Sequence, residues 1–440
     1  MSRTSLIRKN IVASFFIKGW SAAIIFLMVP LTLRMLGDYA NGVWLTISSM
    51  MMWIDMLDIG LGNGLRNAVA EFMARGEMQK ARMAISSTLF MLFIITIPVI
   101  LVAFFLVFYC NIYQLLGVDP LQIENLKTIV MVAVIFVSQS FVFKTIGNIY
   151  MGLQLPAVSN LLMVIGQTIA LVATYLAYII GSKSLLVIVI INTLAPLAVW
   201  LSAYPFTFLL RYKQLCPSLR YIRLSMAKNM CTIGVKFFVL QICGVILFMS
   251  ANVIISRLFS PAEVTPYQIA YRYYTLVLIV FTIVCMPFWN ATTDAYTKGD
   301  MAWIKRASHK MNIMIAGLMV MIVLMTFAAE FIYSHWVGCD VNIPLSLSAA
   351  MATYMFVIIL SQRYSYFLNG IGILHIQIVF AMTAAIIFIP LAIFVCKKYP
   401  TVTSLVWVMC IVNIPGLVAN MWKFNRVITE NCNVSESIKN

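Results

Sequence analysis

Five cations stand inside long apolar stretches of this chain: Lys18, Lys144, Lys236, Arg272 and Arg363. An ionisable group at membrane depth is costly, so each is a candidate site. Ammonium and guanidinium groups turned into a polar cavity would hold a phosphate or a carboxylate through charge-assisted hydrogen bonds. The competing role is snorkelling, in which the aliphatic stem lies in hydrocarbon and the charge reaches the interface. Lys18, Lys144, Arg272 and Lys236 form the anion-binding set, although Lys236, like Arg363, lies near the end of its stretch, where snorkelling is the preferred reading. Lys18 is seven residues into its stretch and Lys144 six from the end of its own, which at about 1.5 Å per residue puts both roughly 9–10 Å below one boundary.

The acids are fewer. Asp55 and Asp58 are three apart, so they share a helix face near the end of the second apolar stretch. They would pair with Lys18 of a neighbouring helix or bind a coupling Na⁺ or H⁺, and the structural ion pair is the preferred role. Glu330 falls close to a boundary, within reach of water. Between Asp58 and Asn67 lie Gly60, Gly62 and Gly64. No strand precedes them, which excludes a phosphate-binding loop. They allow close helix packing or a hinge. The nine cysteines occur singly, without CxxC spacing, and His309, His335 and His375 are isolated, so neither a metal site nor a nucleophile–base grouping is expected.

The elements that would position these residues are membrane helices. The chain is 62% apolar and only 10% charged, outside the range of soluble domains. Twelve runs are long enough to cross roughly 30 Å of hydrocarbon, at about 11–33, 40–59, 84–109, 128–150, 157–180, 185–210, 232–256, 267–289, 311–334, 344–366, 371–395 and 403–425. The expected fold is an all-α polytopic membrane protein of about twelve transmembrane helices. Arg3, Arg8 and Lys9 resemble the start of a signal peptide, but the apolar run that follows is too long, and it is read as a retained helix. Most of the 30 Lys and Arg residues fall on the side that carries both termini, which the positive-inside rule assigns to the cytoplasm. The net charge of +16 is thus a topology signal and an attraction to membrane lipids, with no nucleic acid implied. Tyr267, Tyr271, Tyr273 and Tyr274 around Arg272 are read mostly as interface anchors.

One amphipathic segment occurs twice. Asn67-Ala-Val-Ala-Glu71 leads to Arg75-Gly76-Glu77-Met78 and Arg82, and Asn290-Ala-Thr-Thr-Asp294 leads to Lys298-Gly299-Asp300-Met301 and Lys305. Four charged positions keep their sign across an offset of 223 residues, from 67 to 290. Each copy is expected to form a short surface helix ended by its glycine. Arg34 and Arg257 match at the same offset. Six spans precede and six follow a basic segment, so the halves are parallel repeats. They divide into a six-helix bundle at 1–210, a cytoplasmic linker at 211–231, a second bundle at 232–425 and a cytoplasmic tail at 426–440.

Arg34-x-Leu36-Gly37, Gly42-x-Trp44 and Asp58-Ile-Gly-Leu-Gly-Asn-Gly-Leu-Arg66-Asn67, followed by Glu71 and Arg75-Gly-Glu77, resemble the Wzx-type O-antigen and polysaccharide flippases. Their superfamily includes the MATE multidrug exporters and the lipid II flippases. The sharp motifs lie within 34–82, and the second half departs from them, with Trp289-Asn290 where the first has Arg66-Asn67. The resemblance implies a non-enzymatic bacterial inner-membrane protein. It would move an undecaprenyl-diphosphate-linked oligosaccharide from the cytoplasmic to the periplasmic leaflet for O-antigen, capsule or exopolysaccharide assembly. It implies no cofactor, and partners among the polysaccharide polymerase and chain-length machinery. The candidate cations would then be substrate-binding.

Two rival readings remain. An exporter of cationic drugs needs acids in its cavity, whereas the candidates here are mainly Lys and Arg. A membrane glycosyltransferase or polymerase acting on the same lipid carrier needs a sizeable catalytic loop. The longest loops, around 110–127 and 211–231, offer only Asp119 and Glu124.

Overall fold

Apolar runs with few interior breakers form helices here because a chain in hydrocarbon must satisfy every backbone polar group within itself. The computed structural model describes residues 3–55, 61–338 and 341–437, and no strand occurs among them. In order, the helices are α1 (Arg3–Asp55), α2 (Leu61–Ala74), α3 (Met78–Tyr109), α4 (Ile112–Leu116), α5 (Leu126–Phe143), α6 (Thr145–Gly152) and α7 (Pro156–Ile179). They continue with α8 (Leu185–Pro205), α9 (Leu224–Leu258), α10 (Pro261–Thr297), α11 (Met301–Trp336), α12 (Leu345–Ile371), α13 (His375–Lys398) and α14 (Val402–Ser437). Nine stretches among the described residues are long and apolar enough to cross a membrane, and Ile242–Leu258 is a shorter apolar helix beside them. The outward faces are apolar too: on α3, Leu101 and Phe105 are more than half exposed, and on α13 so are Ile386 and Phe394. Greasy surface on this scale fits lipid contact, and the chain is a multi-pass membrane protein.

The helices meet the expected spans with local differences that have physical causes. The first two spans run together as α1, interrupted at Gly37, whose φ of 73° no β-carbon-bearing residue adopts cheaply. The fourth span is divided between α5 and α6, which meet at Lys144. The sixth passes from Pro205 into a π-helical turn, Phe206–Arg211, since a proline cannot donate into the regular ladder.

The duplicated segment adopts one turn twice. Gly76 and Gly299 both have φ of 73°. The amides of Gly76 and Glu77 donate to the carbonyls of Met73 and Phe72, at 3.2 and 2.8 Å. Those of Gly299 and Asp300 donate to Tyr296 and Ala295, at 3.1 and 2.9 Å. Both are Schellman endings, in which a left-handed glycine lets the chain turn back on the last carbonyls. The two copies differ before the turn. The first ends α2, a helix of 14 residues. The second is the end of α10, a continuous helix of 37 residues, rather than a short surface helix of its own.

By contacts the chain divides into two compact units: residues 1–238 with 260–262, and residues 239–259 with 263–440. In the first, α2 buries Leu61, Leu65 and Val69, a stripe at i, i+4 and i+8, against Ala84 and Ile85 of α3 and Ile146 and Ile149 of α6. Helices α1 and α7 are joined by Trp20 Nε1 donating to Thr168 Oγ1 (3.1 Å) and by the Ser21 hydroxyl donating to Gln167 Oε1 (2.6 Å). In the second, α12 packs on α14 and α11, and α13 on α14.

Candidate functional site

Of the cations singled out from sequence, Lys144, Arg272 and Arg363 have described side chains. The side chains of Lys18, Lys236 and Asp55 lie outside the described residues, as do Asp58 and Gly60. Lys144 belongs to the first unit and Arg272 to the second, each in surroundings of its own.

Lys144 occupies the joint between α5 and α6. Its amide donates to the Ser140 carbonyl at 2.8 Å, and its own carbonyl accepts from Gly147 at 2.9 Å, so the chain turns at this residue without losing its helical bonds. The side chain is half-buried, with Nζ 5.2 Å from the centre of the Phe141 ring. That is cation–π distance. The joint is held by close packing on either side: a β-carbon on Gly147 would lie 2.8 Å from Ser159 Oγ, and one on Gly152 would lie 2.8 Å from the Arg66 carbonyl oxygen. Lys144 is thus presented from a rigid corner. Gly62 and Gly64, read as hinge candidates, are helical residues in the first turn of α2 with no left-handed φ.

Arg272 is half-buried on α10 among tyrosines, and their placement corrects the expectation of interface anchors. Tyr267 and Tyr274 are essentially inaccessible, and Tyr273 is buried with them. Tyr273 meets Tyr274 and Tyr333 edge-on at 5.1 and 5.2 Å. Their hydroxyls are satisfied inside the unit: Tyr273 donates to the Met325 carbonyl at 3.1 Å, and Tyr274 to Thr326 Oγ1 at 2.9 Å. Tyr333 and Ser348 share a bond at 3.3 Å, and the Tyr267 hydroxyl lies 3.7 Å from Met409 Sδ. A tyrosine can be buried when its single polar atom finds a partner, and four do so here.

Arg363 also departs from expectation. It is not at an interface: it is 6% exposed, its Nη2 donates to the Ser308 hydroxyl at 2.7 Å, and the Tyr364 ring lies 4.5 Å from its guanidinium carbon. Its nearness to the end of span ten suggested snorkelling, but α11 covers that face.

A further group went unread in the sequence. Arg82, the last charged position of the first repeat copy, donates from Nε to the Cys216 carbonyl at 2.6 Å and lies over the Tyr221 ring at 4.3 Å. One turn on, Ser86 Oγ accepts from the Ser218 amide (3.1 Å) and Ser87 Oγ from the Arg223 amide (2.8 Å). These bonds fasten the basic linker to α3. The matching Lys305 is exposed. The signal available in sequence was the Ser86-Ser87 pair one turn after a repeat arginine, a pattern with no partner visible until the chain folds. Two repeat acids make local bridges: Arg75 pairs with Glu71 at 2.8 Å and Lys80 with Glu77 at 3.0 Å, in both cases with the arginine or lysine more than half exposed, so neither bridge carries much stability. Among the described residues no cluster of three or more potential metal ligands occurs.

No protein-family model matches the chain. Two curated relatives do. One is the "Putative O-antigen export protein" of Yersinia pseudotuberculosis, 23% identical over 364 residues, which are 79% of each chain. The other is the "Putative O-antigen transporter" of Salmonella typhimurium, 21% identical over 385 residues, 84% of this chain and 86% of that one. Among solved structures, the inward-facing form of a multidrug resistance MATE family transporter of the MOP superfamily superposes with a TM-score of 0.80 at 14% identity, covering 94% of this chain and 96% of that one. The outward-facing form of a MATE transporter gives 0.66 at 14% identity, covering 97% and 96%. The fold is that of the MATE transporters, and the likeness to O-antigen transport proteins anticipated from residues 34–82 extends over most of the chain.

Proposed function

We propose that this membrane transporter, similar in sequence to O-antigen transport proteins and built on the MATE fold, is a flippase for lipid-linked oligosaccharide. Its cargo would be an undecaprenyl-diphosphate-linked repeat unit, moved from the cytoplasmic to the periplasmic leaflet of the bacterial inner membrane, with both termini cytoplasmic. The observation that carries this reading is the likeness to two proteins named for O-antigen export or transport, each over about four-fifths of this chain. The chemistry agrees with it. A diphosphate headgroup drawn through hydrocarbon needs cations, and the charges within the spans are mainly Lys and Arg.

The mechanism we infer is alternating access, in which one bundle rocks against the other around the headgroup while the polyprenyl tail stays in lipid. Lys18 and Lys144 would meet the diphosphate as it enters, and Arg272 would hold it farther along. Lys236 is the fourth cation of the set. Asp55 and Asp58 would pair with Lys18 or take up a coupling Na⁺ or H⁺. Polysaccharide polymerase and chain-length machinery would receive the product.

The fold itself favours a second reading, export of a cationic drug or metabolite, since the structural neighbours are multidrug resistance transporters. Mass spectrometry of undecaprenyl-diphosphate-linked glycans in a strain lacking the protein separates the two. The flippase reading expects one completed repeat unit to accumulate while the matching surface polymer is lost. An unchanged lipid-linked pool with intact surface glycan, together with new drug sensitivity, would transfer the assignment to export.

A further inference from the structure

Arg363 carries a full positive charge in the packed interior of the second unit, about 12 Å along α12 from its end at Ile371 at 1.5 Å per residue. Its partners among the described residues are the Ser308 hydroxyl and Tyr364, and neither is negatively charged. Its Nε–H is buried and has no acceptor among the described residues. Ser308, itself 8% exposed, uses an oxygen lone pair to receive the bond from Nη2. Its own O–H therefore remains a donor, and no acceptor for it occurs among the described residues. Nε and the terminal nitrogen beside it form the edge of guanidinium that reads oxyanions and halides. Here one end of that edge is taken by Ser308 and the other has no hydrogen-bond acceptor among the described residues. Two adjacent donors and an uncompensated charge in a low-dielectric interior are a strongly unfavourable arrangement for the protein alone, and an anion resolves all three.

We propose that Arg363 and Ser308 form a binding site for a small inorganic anion of chloride size inside the second unit. Size follows from packing. The guanidinium is almost covered, and Ile304, Met311 and Phe367 on the same two helices are inaccessible, a burial suited to a small ion and not to a sugar or a diphosphate headgroup. Supply follows from charge, since Lys305, Arg306 and Lys310 are exposed within a turn of Ser308 and raise the local anion concentration. The site is separate from the cations assigned to the cargo and stands whether or not the chain is a flippase.

The test is thermal unfolding of the full-length protein in a non-ionic detergent, followed by tryptophan fluorescence while sodium gluconate is replaced by sodium chloride at constant ionic strength. The unfolding temperature of the wild type is expected to rise saturably with chloride. Arg363→Gln is expected to abolish the rise, and Arg257→Gln, an exposed arginine elsewhere in the unit, to leave it unchanged. Ser308→Ala keeps the buried charge and removes one donor, so the half-saturating chloride concentration should increase about tenfold. A wild type indifferent to chloride would overturn the proposal, as would a response to inorganic phosphate alone or an Arg363→Gln protein that responds like the wild type. If Arg363→Gln fails to fold, Ser308→Ala decides: an unshifted midpoint would place the anion elsewhere.

Discussion

A charged residue in a membrane span is costly against lipid and tolerated where it faces a partner or a polar path, and only on such a path can it work on a substrate. Lys144 lies at a helix joint beside Phe141, and Arg272 lies half-buried on a helix whose neighbouring tyrosines are buried. Replacing Lys18, Lys144 or Arg272 singly by Ala is expected to lower surface glycan at unchanged protein level. Full glycan in all three, measured beside an immunoblot for the protein, would mean that these charges only snorkel. The buried tyrosines have their own test. Tyr274→Phe keeps the ring and loses the bond to Thr326, which should lower the unfolding free energy by about 1 kcal/mol. An unchanged thermal transition would show that this hydroxyl does nothing for the second unit.

At the scale of elements, the two copies of the repeat make one turn because each has glycine where φ is positive. Gly76→Ala or Gly299→Ala should each cost about 1 kcal/mol, whereas Gly317→Ala, in the interior of α11 with open space around it, should stabilise by roughly 0.5–1 kcal/mol. Thermal unfolding of the three variants side by side checks the contrast in sign. The linker offers another test. With Arg82 replaced by Ala, the segment loses its bond to the Cys216 carbonyl and its contact with Tyr221. Trypsin should then cleave after Lys213, Arg220 or Arg223 severalfold faster. Equal cleavage rates would mean that Ser86 and Ser87 suffice to hold it.

For the whole molecule, flux against a gradient has to be driven, and the proposed coupling predicts that collapsing the ion gradient across vesicles slows turnover of the lipid-linked repeat unit. Unchanged flipping in gradient-free vesicles would remove coupling from the mechanism and leave downhill exchange. What was legible at this scale was the helical membrane architecture, because hydrophobic length is a one-dimensional property. The likeness to O-antigen transport proteins was legible in residues 34–82, where short polar motifs interrupt hydrophobic sequence. The environment of single residues was not. Arg363 and the tyrosines around Arg272 were placed at interfaces by their distance from span ends, and packing placed them inside.

The amino-acid sequence by itself determined the all-helical membrane fold, the glycine turns of the duplicated segment and the excess of cations over acids within the spans. Each of these follows from composition, order or local backbone preference. Only the tertiary structure decided that Arg82 and two serines hold the linker, that four tyrosines form a hydrogen-bonded interior, and that Arg363 meets Ser308 from another helix. Those contacts join residues 15 to 142 positions apart, and nothing along a chain indicates which side of one helix another will cover.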